Sequence, residues 1–240
     1  TPKTYDLIIR YEGDEDYFKS IFHHNYTVHK KPTHMNITIP EINYGETGII
    51  TVSLTPENVA TQAFMYITDE NNQTTKKTVY VKNGAEIKLK NYAGGEYNIT
   101  IVSWDHKYYE SSNATAIFKV NKFATNLTIT STDINAGETE ILNITLGPEG
   151  EVAGEAILEI NNYTDTIYLK NGENSVTIEN LTGGTYNVSV TFLGDKKYAS
   201  STATCTFKVK MFETNITAKI EDNILYINTT PNSTGKIFIY

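Results

Sequence analysis

The chain has 240 residues, 39% of them hydrophobic and 20% charged, and its 20 Lys and Arg against 28 Asp and Glu leave a formal net charge of −8. Scattered cations on an acidic chain exclude the basic stripe that nucleic acid requires, so no nucleic-acid partner is expected. A single cysteine excludes an internal disulfide, and no apolar run nears the roughly 18 residues of a membrane helix.

The first legible element is Tyr5-Asp-Leu-Ile-Ile-Arg-Tyr-Glu-Gly-Asp-Glu-Asp-Tyr17, which runs on to Val28. It returns from Tyr97 to Val120 and, almost position for position, from Tyr186 to Val209, with the leading tyrosines 92 and 89 residues apart. A second element, Asn36-Ile-Thr38, returns as Asn126-Leu-Thr128 and Asn215-Ile-Thr217, spaced 90 and 89 residues. Such a period is too long for solenoid repeats of roughly 20–50 residues, which cannot bury a core alone, and close to the roughly 100 residues of an immunoglobulin-like sandwich. The expected fold class is all-β, with tandem immunoglobulin-like β-sandwich domains arranged end to end as a rod. Residues 1–33 read as the C-terminal strands of a partial domain, 34–123 and 124–212 as complete domains, and 213–240 as the N-terminal strands of another partial domain.

Within 124–212, strands are predicted at 127–130, 140–146, 156–160, 166–169, 175–178, 186–192 and 203–209, each rich in Ile, Val, Thr and Tyr and bounded by Asn, Gly, Pro or Asp. Cys205, Phe207 and Val209 fall on one face of the last strand, Thr204, Thr206 and Lys208 on the other, as in antiparallel strands with one wet side. Cys205 aligns with Ala116 and His24, which makes it a small buried hydrophobe rather than a nucleophile. Lys119 and Lys208 point outward by the same alternation, which argues against a self-formed Lys–Asn crosslink.

Tyr5, Tyr97 and Tyr186 each follow a turn and head a strand, the place where sandwich domains hold a tyrosine whose hydroxyl bonds back to nearby backbone. The following loops, ending at Tyr17, Tyr108 and Tyr198, each supply a second tyrosine to plug the core, with Trp104 standing where the last copy has Gly194. The run Gly-Gly-Thr-Tyr-Asn-Val-Ser-Val-Thr-Phe-Leu-Gly-Asp-Lys-Lys-Tyr-Ala-Ser-Ser-Thr-Ala-Thr-Cys-Thr-Phe-Lys-Val that ends at Val209 resembles the closing strands of bacterial-type Ig-like repeats in adhesin-like surface proteins of methanogenic archaea. The resemblance covers nearly the whole chain. It implies an extracellular, cell-surface stalk or adhesin module with no catalytic residues.

Asn-x-Ser/Thr occurs thirteen times, against about five expected by chance for a motif of this form. Polar strands set Asn and Thr side by side at a period of two, and the same motif accepts N-glycans. Asn36, Asn126 and Asn215, together with Asn98 and Asn187, recur at matching places and are the leading glycosylation candidates; the last of the thirteen is Asn232. His23, His24, His29 and His34 do not form a metal site, because a strand rising about 3.3 Å per residue holds His23 and His29 roughly 20 Å apart. The loop Glu12-Gly-Asp-Glu-Asp16 offers oxygens suited to Ca²⁺, but its counterparts carry lysines, so it reads as hydrated. No metal or cofactor is expected, and the absence of phosphate-loop or nucleophile motifs points away from an enzyme.

The junctions 121–125 and 210–214 contain no flexible Gly or Ser tract, and Phe123 and Phe212, in matching places, are expected to pack between domains. The strands equivalent to about 161–181 occur in neither partial domain. Three functions are expected in descending order: a stalk segment of a larger adhesin-like protein, a filament subunit polymerising head to tail through its incomplete domains, and a carbohydrate- or protein-binding module. Partners are neighbouring Ig-like domains of the same or an adjacent chain and host-cell or microbial surface glycans or proteins. The seventeen tyrosines leave open an aromatic platform that sequence alone does not locate.

Overall fold

A computed structural model describes every residue except Glu149, Pro231, Asn232 and Thr234, so the sequon at Asn232 lies outside the described residues. Two compact units divide at Phe123 and Ala124. In the first, the strands are β1 (Lys3–Tyr11), β2 (Ser20–Val28), β3 (His34–Thr38), β4 (Ile42–Asn43), β5 (Gly48–Thr55), β6 (Ala60–Thr68), β7 (Thr74–Lys82), β8 (Ala85–Leu89), β9 (Gly95–Ser103) and β10 (Asn113–Asn121). In the second they are β11 (Asn126–Thr130), β12 (Ile134–Asn135), β13 (Glu140–Gly147), β14 (Gly154–Ile160), β15 (Tyr163–Leu169), β16 (Gly172–Ile178), β17 (Gly184–Phe192), β18 (Ser201–Lys210), β19 (Ile216–Glu221) and β20 (Ile224–Thr229).

Each unit holds one β-sandwich. A three-stranded sheet, β3-β5-β8 or β11-β13-β16, faces a five-stranded one, β4-β10-β9-β6-β7 or β12-β18-β17-β14-β15. The fold is therefore all-β with tandem immunoglobulin-like sandwiches. The fourth long strand decides the sheet order: β7 pairs with β6, and β15 with β14, so neither joins the three-stranded sheet, as it would in the immunoglobulin constant-type arrangement. In the second sandwich a two-residue turn dictates this pairing. Ile160 is opposite Tyr163, and Asn161 takes φ +49°, a left-handed conformation that asparagine tolerates and hairpin turns require.

All seven strands expected in 124–212 form, with ends that extend by a few residues. β15 starts at Tyr163 rather than 166 because the tight turn carries the ladder through polar Tyr163, Thr164 and Asp165. The sequence reading missed β12, which is too short to show a period. It pairs in parallel with Val209 and Lys210, and β4 pairs likewise with Val120 and Asn121. A shared Asn-x-Gly-Glu turn ends each of these strands. The backbone N–H of Asn43 donates to Glu46 at 2.7 Å and that of Asn135 to Glu138 at 2.7 Å. Bonds from the Asn135 backbone and side chain hold the Glu138 carboxyl below its ordinary range.

Alternation builds the core. Along β13, Leu142, Ile144 and Leu146 are buried, and Ile141, Asn143 and Thr145 face water. The first position of β13 is the exception to apolar filling: Glu140 is 0% exposed, with Thr132 donating from its N–H at 2.9 Å and from its hydroxyl at 3.3 Å. The first position of β5 is Gly48, where an added Cβ would come within 2.8 Å of the Phe118 ring. An aromatic ring fills in one sandwich the space that a hydrogen-bonded carboxylate uses in the other.

Removing buried methylenes leaves a cavity, whereas trimming a wet face does not. Leu142→Ala should cost about 2–5 kcal/mol and the adjacent Ile141→Ala less than about 1 kcal/mol, read from the urea midpoint of the second sandwich. Equal shifts for the two variants would contradict the inward and outward assignment.

Candidate functional site

The most repeated constellation is the hairpin that closes each repeat. β1–β2, β9–β10 and β17–β18 share one register: Tyr5 stands opposite Tyr26, Tyr97 opposite Phe118, and Tyr186 opposite Phe207. Each leading tyrosine donates its hydroxyl to the carbonyl four residues upstream, Tyr5 to Thr1 at 2.7 Å, Tyr97 to Ala93 at 3.0 Å and Tyr186 to Thr182 at 2.9 Å. Ring stacking adds to this, at 5.3 Å between centroids for Tyr5 and Tyr26 and 5.2 Å for Tyr186 and Phe207. Burial, assisted by Asp69, Tyr92 and Glu70, pushes the Tyr97 hydroxyl above the ordinary tyrosine range.

The loops of these hairpins correct the expected alignment by one residue. Pairing of β9 with β10 and of β17 with β18 makes Ser103 equivalent to Phe192, so Trp104 matches Leu193 and Asp105 matches Gly194. The plugging tyrosine of the middle copy is accordingly Tyr109, which packs on the core, while Tyr108 is exposed, as is Tyr17. Tyr198 does plug its core. Gly194 and Gly13 take φ +73° and +87°, and an added Cβ would meet the carbonyl oxygen of Tyr198 at 2.7 Å or Tyr17 at 2.8 Å, so no side chain fits there. The aspartate that follows caps the turn. Asp195 accepts from the N–H groups of Lys197 and Tyr198 at 2.7 and 2.6 Å, and Asp14 from those of Asp16 and Tyr17 at 2.9 and 2.8 Å. Asp14 also accepts from the Tyr11 hydroxyl at 2.6 Å. That bond first, and the backbone donors after it, hold the Asp14 carboxyl below its usual range. Of the carboxylates considered for Ca²⁺, Asp14 is thus engaged in shaping the turn.

In the middle copy the capping place falls to His106, whose Nδ1 accepts from the Tyr108 N–H at 3.1 Å, while Asp105, in the place of Gly194, forms an ion pair with Lys30. Beside it the Lys31 N–H donates to the Tyr108 carbonyl, and the Glu110 N–H to the Lys31 carbonyl, both at 2.9 Å. The Thr33 hydroxyl reaches Ser112 at 2.9 Å, and Thr125 repeats this contact with Ser201 at 2.7 Å. Within the first unit, residues 30–33 are therefore clipped to the loop that follows β9.

On β9–β10 and β17–β18 the inward face is buried, with Ile99, Ile101 and Phe118 at 0% exposure. The same face of β1–β2 is bare: Leu7, Ile9, Phe22, Tyr26 and Val28 are 40–55% exposed. β19–β20 presents Ile216, Ala218 and Ile220 opposite Thr229, Ile227 and Leu225, the places that Leu127, Ile129, Leu142, Ile144 and Leu146 fill in the second sandwich. Its turn is tighter, with Asp222 and Asn223 both at positive φ.

Asn36, Asn98, Asn126, Asn187 and Asn215 are all exposed. Asn98 and Asn187 occupy one equivalent place, each following the leading tyrosine. Asn36 and Asn126 do not. Leu54 precedes Thr55-Pro56 as Leu146 precedes Gly147-Pro148, and Met35 and Leu127 pair with those leucines, so His34 matches Asn126 and Asn36 matches Thr128. A slip of two residues keeps the same face of a strand, which is why the pattern looked equivalent. Phe123 stands edge-on to Tyr44 of its own unit at 6.3 Å, and Phe212 is largely exposed. Cys205 is half-buried against the core, and Lys208 is exposed. His23 lies 3.9 Å from Asp6 and His24 stacks on Phe22. Among the described residues no group of three or more His, Cys, Asp or Glu gathers as a metal site.

The sequence matches no protein-family profile and no curated protein. Among solved structures, it is similar to part of a 1.5-MDa bacterial ice-binding adhesin studied for host cell surface retention, at 14% identity over 81% of this chain and 71% of that one, with a TM-score of 0.30. It is also similar to a two-domain fibronectin type III segment of chicken tenascin, at 11% identity over 72% of this chain and 97% of that one, with a TM-score of 0.35. The BSP domain of a biofilm-associated protein matches at 17% identity over 73% of this chain and 29% of that one, with a TM-score of 0.27. At these values the sandwich assignment stands on the strand order and registers given above.

Replacing the donating hydroxyl should cost about 1–2 kcal/mol in Tyr97→Phe and in Tyr186→Phe. Because the folded pKa of Tyr97 is raised, its contribution is full below the ordinary tyrosine value of about 10 and is lost as pH climbs through the folded value. Tyr97→Phe should flatten the fall in unfolding midpoint on the alkaline side. An unchanged alkaline slope would show that the Tyr97 hydroxyl plays no part in it.

Proposed function

We propose that the chain is a non-enzymatic structural and adhesive segment of an extracellular cell-surface protein, a stalk of tandem sandwiches that continues in further repeats on both sides. The observation that carries this reading is the bare apolar face of β1–β2 and of β19–β20. Both hairpins keep the register of strands whose faces are buried in the complete sandwiches, and apolar faces of that extent need a cover. In the complete sandwiches the facing sheet provides it, the three-stranded sheet for β9–β10 and β17–β18 and the five-stranded sheet for β3–β5 and β11–β13. The quoted Gly-Gly-Thr-Tyr and Gly-Asp-x-x-Tyr pattern supports placing the segment among archaeal adhesin-like proteins.

A second reading, a subunit that polymerises head to tail, is favoured by where the two hairpins belong. β1–β2 corresponds to strands of the five-stranded sheet and β19–β20 to strands of the three-stranded one, with counterparts of β12, β14, β15 and β16 in neither hairpin. A β19–β20 hairpin laid on the β1–β2 hairpin of another copy would set two bare apolar faces against each other.

The denatured, deglycosylated mass of the native polypeptide separates these readings, detected in source-cell fractions with an antibody to residues 124–212. A band far above 26.9 kDa in the envelope fraction is expected for the stalk. A band at that mass in extracellular fibres would favour the filament, and a cytoplasmic band would overturn both.

A further inference from the structure

The outer face of the five-stranded sheet differs between the two sandwiches. In the first, Asn98 on β9 stands directly opposite Ile117 on β10, and Ile117, at 67% exposure, is the most exposed large apolar side chain of that sandwich. From there an apolar strip runs along the sheet: Thr100 is opposite Tyr66, and Val102 opposite Phe64. The Phe64 ring lies 5.2 Å from Trp104, with the Lys76 ammonium 3.5 Å above its centre. In the second sandwich the place of Asn98 is taken by Asn187, opposite Thr206, whose hydroxyl donates to the Asn187 Oδ1 at 3.1 Å. The places of Thr100 and Tyr66 are taken there by Ser189 and Glu159. Around Asn187 the outer face is thus polar and hydrogen-bonded within itself, whereas around Asn98 it is apolar.

We infer that Asn98 carries an N-linked oligosaccharide and that its first sugars lie over Ile117 and the adjoining aromatic strip. This deepens the cell-surface reading and rests on it. Directly opposed side chains on antiparallel strands have Cβ atoms about 5 Å apart, so a sugar attached at Asn98 begins within contact of Ile117. The C–H faces of a pyranose ring are apolar and its rim carries hydroxyls, which suits a face where Ile117 and aromatic rings alternate with Thr100 and Thr68. Thr100, on the same face two residues on, completes the acceptor motif. The donor class is a lipid-phosphate-linked oligosaccharide. The Asn98 Nδ2 forms a bond to the anomeric carbon, the bond from that carbon to the phosphate oxygen breaks, and the lipid phosphate leaves with the electron pair while the amide gives up one proton to a base of the transferase.

Glycopeptide mass spectrometry on the protein purified from source cells tests the assignment. The peptide containing Asn98 should carry a hexose-type mass, lost in Thr100→Ala and kept in Thr100→Ser, which preserves the acceptor motif. Enzymatic removal of the glycan should raise the binding of an apolar fluorescent dye severalfold, and Ile117→Ser should abolish most of that rise. A bare Asn98 on a protein modified at Asn36, Asn126 or Asn187 overturns the inference and leaves the surface reading standing. A modified Asn98 whose glycan removal exposes no dye site overturns the proposed cover. A protein bare at every acceptor in the cytoplasmic fraction overturns both readings.

Discussion

Every repeat rests on one constraint: its closing hairpin carries tyrosine, aliphatic and aromatic side chains along one face, and that face has to be taken out of water. In β9–β10 and β17–β18 the three-stranded sheet does this, and the buried side chains gather in one core cluster per sandwich. The tyrosine hydroxyl bond to the preceding turn then fixes how the chain enters the hairpin. Burial of the ring and satisfaction of the hydroxyl reinforce each other, because a phenol buried without a partner would offset much of what its ring contributes. The same constraint makes the two lone hairpins informative. Their registers match those of strands buried in the sandwiches, and their inward faces are bare.

Strand positions were legible because repetition multiplied the evidence. A weak alternation at 203–209 gains weight when it recurs 89 residues earlier. Less legible were features with no period of their own. β4 and β12 are two residues long, and only the repeated Asn-x-Gly-Glu that follows each could have revealed them. Assignment of the fourth strand to the larger sheet depends on the turn at Asn161, which composition does not distinguish from any other polar turn. Offsets also misled. Because side chains alternate every two residues, a slip of two at Asn36 left the pattern intact, whereas the slip of one at Trp104 exchanged a core tyrosine for an exposed one.

The candidate surface was half legible. Sequons can be counted, but which of them stands beside an exposed apolar chain depends on cross-strand pairing that only the register supplies. The aromatic strip on the first sandwich comes from β6 and the residue after β9, with Lys76 of β7 above it, segments far apart in sequence and different in the sister repeat. Internal repetition highlights what the copies share, and here the distinguishing chemistry lies in what they do not.

Differences between the copies also bear on how a chain of repeated modules avoids confusing its own parts. Tandem repeats are prone to exchange equivalent strands while they fold, and the shared registers would accept such an exchange without penalty in backbone hydrogen bonds. Side chains at the head of the second strand refuse it. β5 begins with Gly48 because the Phe118 ring leaves no space for even a Cβ, whereas β13 begins with Glu140, held by Thr132. Were β13 to enter the first sandwich, a carboxylate would meet that ring with no donor beside it; were β5 to enter the second, the Thr132 donors would lose their acceptor. A single position thus works as an address, marking which sandwich a strand belongs to in an array whose sheet orders match.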